Sequence, residues 1–251
     1  MESSICILGA VKEEIAGIKG RMKIDRKSKL GTADVFYGTW ERRSIILVRT
    51  GIGRIRAGGA LAMVLEKYSL SMVISIGYAG GTHPDIKAGD LLVARQFLNF
   101  PKAGEPPQKI DVPLYLAEQA EKVPPSKKFS AYKGRLLTMD CVVNKPKDKR
   151  TLGEDHMVNA IDMETSVLAQ MAAVRKVPFL SVRAITDTVD EELIDVSSFI
   201  EKDGQVSTLK AGWYVLTHPG TIPRFISLQG IAHQGTKNIT EFLIAFLKLV
   251  D

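Results

Sequence analysis

The sequence predicts an α/β protein folded as a single domain, with a largely parallel β-sheet layered by helices. Three observations lead there. Short β-branched runs alternate with longer segments of helical period, the pattern of strands joined by crossover helices. With 251 residues, 45% of them hydrophobic and 25% charged, the chain is long enough to bury one sizeable core. No internal repeat and no long Ser/Pro/Gly linker divides it, so residues 1–251 are expected to form one unit.

Each element can be justified in turn. Ile5 to Leu8 (ICIL) opens the sheet, and Gly9 turns the chain into a helix starting near Lys12 to Ile15. Val35 to Trp40 and Ser44 to Arg49 form a hairpin around Glu41 to Arg43. From Ile55 to Tyr68, the residues Ala60, Val64 and Leu65 lie close together at helical spacing, and Ala57, Gly58 and Gly59 are small enough for close packing. Met72 to Ile76 (MVISI) is the next strand, ended by Gly77 and the pair Gly80-Gly81. Asp90 to Ala94 follows another glycine turn. Gly134 to Asn144 reads as a strand and Glu164 to Arg175 as a helix. Phe179 to Ile185 is a strand with almost no polar interruption, suited to the centre of a sheet covered on both faces. Gly235 to Val250 closes the chain as an amphipathic helix carrying Ile239, Phe242, Leu243, Phe246 and Leu247. Pro101 to Pro107 and Val123 to Lys128 read as surface loops.

Composition narrows the function classes. No apolar run approaches the roughly 18 to 20 residues that span a bilayer, and no signal peptide precedes the first strand, so a cytoplasmic protein is expected. Cys6 and Cys141 each sit in a short β-branched apolar segment and read as buried reduced thiols. The formal charge is +6, but its basic residues are scattered. The densest run, Lys145 to Arg150 (KPKDKR), reads as solvated surface, and no aromatic-interleaved or zinc-finger pattern points to nucleic acid. His83, His156, His218 and His233 lack paired ligand spacing, so neither a metal nor a cofactor is expected.

Three segments place polar or small residues where strands end, which is where open α/β sheets bind ligands. In Gly9 to Glu14 (GAVKEE), two carboxylates begin a helix, a placement the helix dipole alone favours. Gly51-Ile52-Gly53 (TGIGRIRAG) and Gly77 to Gly81 (GYAGG) let backbone N–H groups approach an anion, a sugar or a base, and Arg54 and Arg56 can add charge to an anion site. Glycine also merely ends strands, and arginines at a helix start are often only exposed. The most specific segment is Ile161 to Thr165 (IDMET), followed after one helix by Val182 to Asp187 (VRAITD). Glu164 has two oxygens able to accept hydrogen bonds from the vicinal hydroxyls of ribose. Asp187 leaves a very apolar strand, where desolvation can raise its pKa and let it protonate a leaving group.

These motifs, GAVKEE, TGIG, GYAGGTHPDIKAGDLLV, DMET and PFLSVRAITD, stand in the order found in 5′-methylthioadenosine/S-adenosylhomocysteine nucleosidases. Residues 5 to 190 resemble that family of the nucleoside phosphorylase and nucleosidase superfamily. The resemblance implies a three-layer fold, a twisted mixed β-sheet flanked by helices, with the active site at the strand ends. It implies that Asp187 protonates the purine ring, that Glu164 holds ribose hydroxyls, that Met163 packs beside the sugar, and that Glu14 orients an attacking water. Asp162, Tyr78, Ala79, Gly80, Val142 and Val143 are expected to line the substrate site, and a homodimer or higher homo-oligomer is implied. Cleavage through an oxocarbenium-like cation suits such a set, because a neutralised leaving base and nearby carboxylates both stabilise developing charge.

A second resemblance concerns the latter half. TMDCVVNKPKDKRTL before DMET, EKDG after it, and LTHPGTIPRF near the end are similar to hopanoid-associated phosphorylases. Where the nucleosidases place an aromatic residue to stack on the base, this chain has Met139-Asp140-Cys141-Val142-Val143. Tyr78 replaces a serine common after the strand-end glycine, and Ser75 stands where hexameric purine phosphorylases carry a phosphate-binding arginine. The nucleophile is therefore open between water at Glu14 and inorganic phosphate held by Gly51, Gly53, Arg54 and Arg56. Phosphorolysis of an adenosyl lipid precursor, and nucleoside binding without turnover, stand as the alternatives. Trp213 and Tyr214 are either core or an entrance for a greasy substituent on the ribose 5-position.

Overall fold

The structure, a computed structural model, describes residues 3–100, 106–193 and 222–250. Ten strands and six helices follow one another as β1 (Ser4–Gly9), α1 (Lys12–Lys19), β2 (Lys23–Leu30), β3 (Ala33–Trp40), β4 (Arg43–Arg49), α2 (Arg54–Lys67), β5 (Leu70–Gly81), β6 (Leu91–Asn99), β7 (Gln108–Asp111), α3 (Leu114–Glu121), β8 (Ala131–Thr138), α4 (Pro146–His156), β9 (Ala160–Asp162), α5 (Thr165–Val174), β10 (Phe179–Asp187) and α6 (Ile222–Leu247). Trp213, Tyr214 and His218, the EKDG and LTHPG stretches, and most of the Pro101 to Pro107 loop lie outside the described residues.

The centre of the sheet is parallel. β1 lies between β4 and β5, with Cys6 opposite Ile46 on one side and Val73 on the other. β5 then pairs in parallel with β10, Val182 opposite Ile76. The direction reverses beyond: β10 is antiparallel to β6, β6 runs parallel to β8, β8 parallel to β9, and β9 returns antiparallel to β5 through Gly80 and Ile161. Five strands, β5, β10, β6, β8 and β9, thus close into a ring, while β4, β3 and β2 extend one side as an antiparallel meander. The sheet is mixed, as the family resemblance implies, rather than largely parallel; hydrophobic periodicity reports burial and carries no strand direction.

Helices cover it in two pairs, α1 packing on α6 and α2 on α5. Cys6, Ile7 and Leu8 of β1 are no more than 1% exposed, as a strand covered on both faces requires. Each such Ile or Leu contributes about 1.5–3 kcal/mol of burial. The β3–β4 turn carries positive φ at Glu41 (48°) and Arg42 (71°), the twist-matched geometry of a two-residue hairpin loop.

Several expectations shift. β5 does not stop at Gly77 but runs to Gly81, for reasons that belong to the site. β8 ends at Thr138, so Cys141 sits in an exposed loop, whereas Cys6 is buried as expected. β2, a strand of alternating charge (KIDRKSKL), escapes hydrophobic patterning because it is a largely exposed edge, where charges discourage pairing with another chain. No helix among the described residues is long and apolar enough to cross a membrane.

Candidate active site

Glu14 occupies the first turn of α1, where a carboxylate meets free N–H groups and the positive end of the helix dipole. Its Oε2 accepts from the N–H groups of Ala10 and Val11 (3.1 Å for the latter), and its Oε1 accepts from that of Tyr78 at 3.2 Å. Glu13, beside it, faces solvent with Lys12. Burial pushes the Glu14 carboxyl above its usual range, against the opposing pull of Arg183 and the three N–H donors. Gly77 makes this approach possible: a Cβ there would stand 2.7 Å from Glu14 Oε1 and 2.8 Å from Arg183 Nη1.

Asp187 is the last residue of β10, in register with Gly80 of β5. A Cβ on Gly80 would lie 2.8 Å from Asp187 Oδ2, so this glycine too gives room to a carboxylate. Thr186 Oγ1 donates to Asp187 Oδ1 at 3.0 Å, and Lys149 Nζ donates to Oδ2. Burial raises the Asp187 pKa, and Lys149 works against that rise.

Glu164 precedes α5 and accepts the N–H of Gly53 at 2.8 Å. Burial, reinforced by the negative charges of Asp162 and Glu14, pushes its carboxyl up to about 8, although Arg183 and the Gly53 N–H oppose this.

Asp162 is turned inward. It accepts from Thr138 Oγ1 at 2.8 Å, from the N–H of Thr165 at 3.1 Å and its hydroxyl, and from Arg183 Nε at 3.0 Å. Its carboxylate anchors Arg183 and the start of α5 instead of reaching toward a ligand. Arg183 Nη2 donates to Ser75 Oγ at 2.8 Å and Thr165 Oγ1 at 2.6 Å, while Nη1 has no hydrogen-bond partner among the described residues. Beneath Glu14 and Glu164, a second cavity of about 10 Å³, bounded also by Ser75 and Arg183, has room for about one water molecule.

Glu14, Tyr78, Ala79, Gly80, Val142, Val143, Asp162, Met163, Glu164 and Asp187 all line one cavity of about 1390 Å³ among the described residues. The phosphate candidates do not join them. Gly51 N–H donates to the Ala10 carbonyl at 3.0 Å, Gly53 N–H is taken by Glu164, and Arg54 Nε pairs with Asp140 at 2.6 Å. Gly51, Gly53, Arg54 and Arg56 do not line this cavity, and the N–H groups of Gly51 and Gly53 are used inside the fold.

Sequence reasoning missed Arg183, Ser75 as its partner, and Lys149. An arginine inside an otherwise apolar central strand is a usable signal, since a buried charge demands partners. Lys149 also had one: it lies four residues before Gly153, on the same face of α4. A Cβ on Gly153 would sit 2.8 Å from the Thr82 carbonyl, so that face is pressed into the protein and Lys149 is 1% exposed. Among the described residues no cluster of His, Cys, Asp or Glu could hold a metal ion.

A fold of this kind, with carboxylates gathered at strand ends over a deep cavity, is that of the nucleoside-cleaving α/β enzymes. A model of the phosphorylase superfamily matches residues 4–211, and the chain belongs to that superfamily, an enzyme of its nucleosidase and nucleoside phosphorylase class. The 5′-methylthioadenosine/S-adenosylhomocysteine nucleosidase of Aeromonas salmonicida is 27% identical over 224 residues, covering 80% of this chain and 94% of its own. The structure is similar to that of the Neisseria meningitidis nucleosidase of the same name in complex with methylthio-immucillin-A (TM-score 0.77, 18% identity, covering 98% of this chain and 99% of that one). It is also similar to futalosine hydrolase of Helicobacter pylori (TM-score 0.77, 20% identity, covering 98% and 97%).

Proposed function

We propose that the protein hydrolyses the N-glycosidic bond of a purine nucleoside, with Asp187 as general acid, Glu14 directing water and Glu164 holding ribose hydroxyls. The observation that carries this reading is the convergence of three carboxyl groups, all with raised pKa, on one cavity. Asp187 gives its proton to the departing base while the glycosidic electron pair moves onto that base. The ribosyl cation left behind is stabilised by the ionised Glu14 and captured by water, whose proton passes to Glu14. Met163 and Tyr78 line the same cavity, and Val142 and Val143 replace the expected aromatic stack with an aliphatic surface for the base.

Water is favoured over phosphate because a carboxylate beside the attacking atom repels a dianion, and Arg54 is ion-paired with Asp140 and does not line the cavity. Substrates differing at the ribose 5-position are to be compared, since the cavity exceeds the roughly 300–1,000 Å³ usual for small ligands. The names of the relatives supply the first candidates: methylthioadenosine, adenosylhomocysteine and futalosine. Homodimer formation belongs to the same reading and is checked by light scattering. The test of the reaction is product analysis in phosphate buffer. Free purine with a free reducing sugar is the expected outcome, whereas a ribose 1-phosphate product would transfer the reading to phosphorolysis, and no cleavage of any nucleoside would leave a binding protein.

A further inference from the structure

Lys149 is a lysine where lysines are rarely found, fully buried with its side chain 1% exposed and that of Asp187 4% exposed. Its ammonium has three N–H donors and, among the described residues, three acceptors: Asp187 Oδ2, the carbonyl of Thr188 at 3.1 Å and the carbonyl of Glu191 at 2.8 Å. A tether for the chain after β10 needs only the two carbonyls. The third bond goes to the carboxylate that the proposed reaction uses as its acid, and both Lys149 and Asp187 line the cavity.

We propose that Lys149 is the positioning residue of Asp187: its ammonium holds the carboxyl group toward the cavity and governs the pH range in which Asp187 can give up a proton. The inference rests on the reading of Asp187 as the general acid. Among the described residues, four elements bring groups to Asp187. Lys149 comes from α4 and Glu191 from the segment after β10, and the two act on it with opposite sign. β5 faces it with Gly80, and Thr186 beside it donates to Oδ1. α6 meets β10 through Gly235 against Ala184. The same cavity is lined by Glu14, Glu164 and Tyr78, by Arg49 of β4, and by His233, Lys237 and Glu241 of α6.

The sign follows from the chemistry. A general acid works only while protonated, so cleavage of a nucleoside that needs leaving-group protonation falls as pH rises through the Asp187 pKa. The ammonium favours the ionised carboxylate and so brings this decline to lower pH; burial alone places it higher. Removing the charge while keeping the bulk, Lys149→Met, therefore moves the alkaline limb of kcat/KM upward, by at least one pH unit, a tenfold change in the protonated fraction above the limb. A lysine that only tethered the loop would lower kcat without moving the limb.

The experiment measures kcat/KM against pH for purine riboside and for 4-nitrophenyl riboside, whose leaving group needs no proton, in the wild type, Lys149→Met and Lys149→Arg. Lys149→Gln replaces Met if that variant does not fold, since its amide can still donate to the Thr188 and Glu191 carbonyls without charge. The expected result is an upward-shifted limb for Met or Gln, an unshifted one for Arg, and no such limb for the nitrophenyl compound in any protein. An unshifted limb in the folded neutral variant, or an equal shift in Lys149→Arg, overturns the proposal. Asp187→Asn is the separate control. If it cleaves purine riboside at the wild-type rate, the general-acid reading itself fails; if it does not, and the limb stays fixed, only the role of Lys149 fails.

Discussion

Replacing Glu164 by glutamine should make the unliganded protein more stable in alkaline solution while weakening its hold on ribosides. Burial, with Asp162 and Glu14 near, lifts the Glu164 carboxyl from 4.5 to about 8. The folded protein thus keeps a proton that the unfolded chain releases near the lower value. Stability linked to this group is whole below that value, declines as pH rises, and is lost above about 8. At about 1.4 kcal/mol per unit, the interval sets a ceiling of roughly 5 kcal/mol. Glu164 titrates in the field of Glu14, so deleting a single charge recovers only part, about 1–2 kcal/mol. For a chain of this size, that is a rise of about 2–8 °C in melting temperature. The amide oxygen of glutamine can still accept from the Gly53 N–H, which keeps the local geometry. The assay is calorimetric melting of ligand-free protein at about pH 5 and about pH 9. The two proteins should melt nearly together in acid and separate in alkali. Melting temperatures that fall in parallel over this range would refute the reasoning. In the same variant, riboside affinity measured at about pH 9, where the Glu164 carboxyl is ionised, should drop by about 1.5–3 kcal/mol with free base unaffected, and equal losses by titration calorimetry would place Glu164 away from the sugar.

Asp187→Asn should retain the fold and lose base release by roughly a hundred- to ten-thousand-fold; near-wild-type turnover in a purine-release assay contradicts its role. Gly77→Ala should reduce kcat far more than it changes nucleoside affinity, because its Cβ would press on Glu14 Oε1 and Arg183 Nη1, and unchanged steady-state kinetics would show that the pair tolerates displacement. Arg183→Met should lower the melting temperature by about 6 °C or more, since it leaves Asp162 buried without its cation, a loss of about 3–5 kcal/mol. A variant as stable as the wild type would mean that the threonine donors suffice for Asp162.

Much of this architecture was legible in the residues. The apolar runs marking β1, β5 and β10 are buried throughout, and the carboxylates that follow β1 and end β10, Glu14 and Asp187, do face one cavity. The glycines between them were harder to read. A glycine motif after a strand signals close approach of something, but Gly77 and Gly80 make room for Glu14, Arg183 and Asp187 from within the chain. The same ambiguity affects Gly51 and Gly53, whose N–H groups are spent on Ala10 and Glu164. Lys149 was hidden for a different reason. Local sequence gives it the company of Lys145, Lys147 and Arg150, and only the helical offset to Gly153 separates its buried face from their exposed one. Strand direction was illegible for a third reason, since β6 and β10 bury the same side chains whether they run together or opposed.

The ring of strands also dictates an order of assembly. β5 and β6 emerge early, yet each needs β10, far downstream, as a pairing partner. Until β10 is synthesised, backbone donors and acceptors on those two strands have no native neighbour on that side, which makes the growing chain prone to wrong pairings. The same strand delivers Asp187, so a chain cut short before it holds Glu14 and Glu164 but lacks the group proposed as the acid.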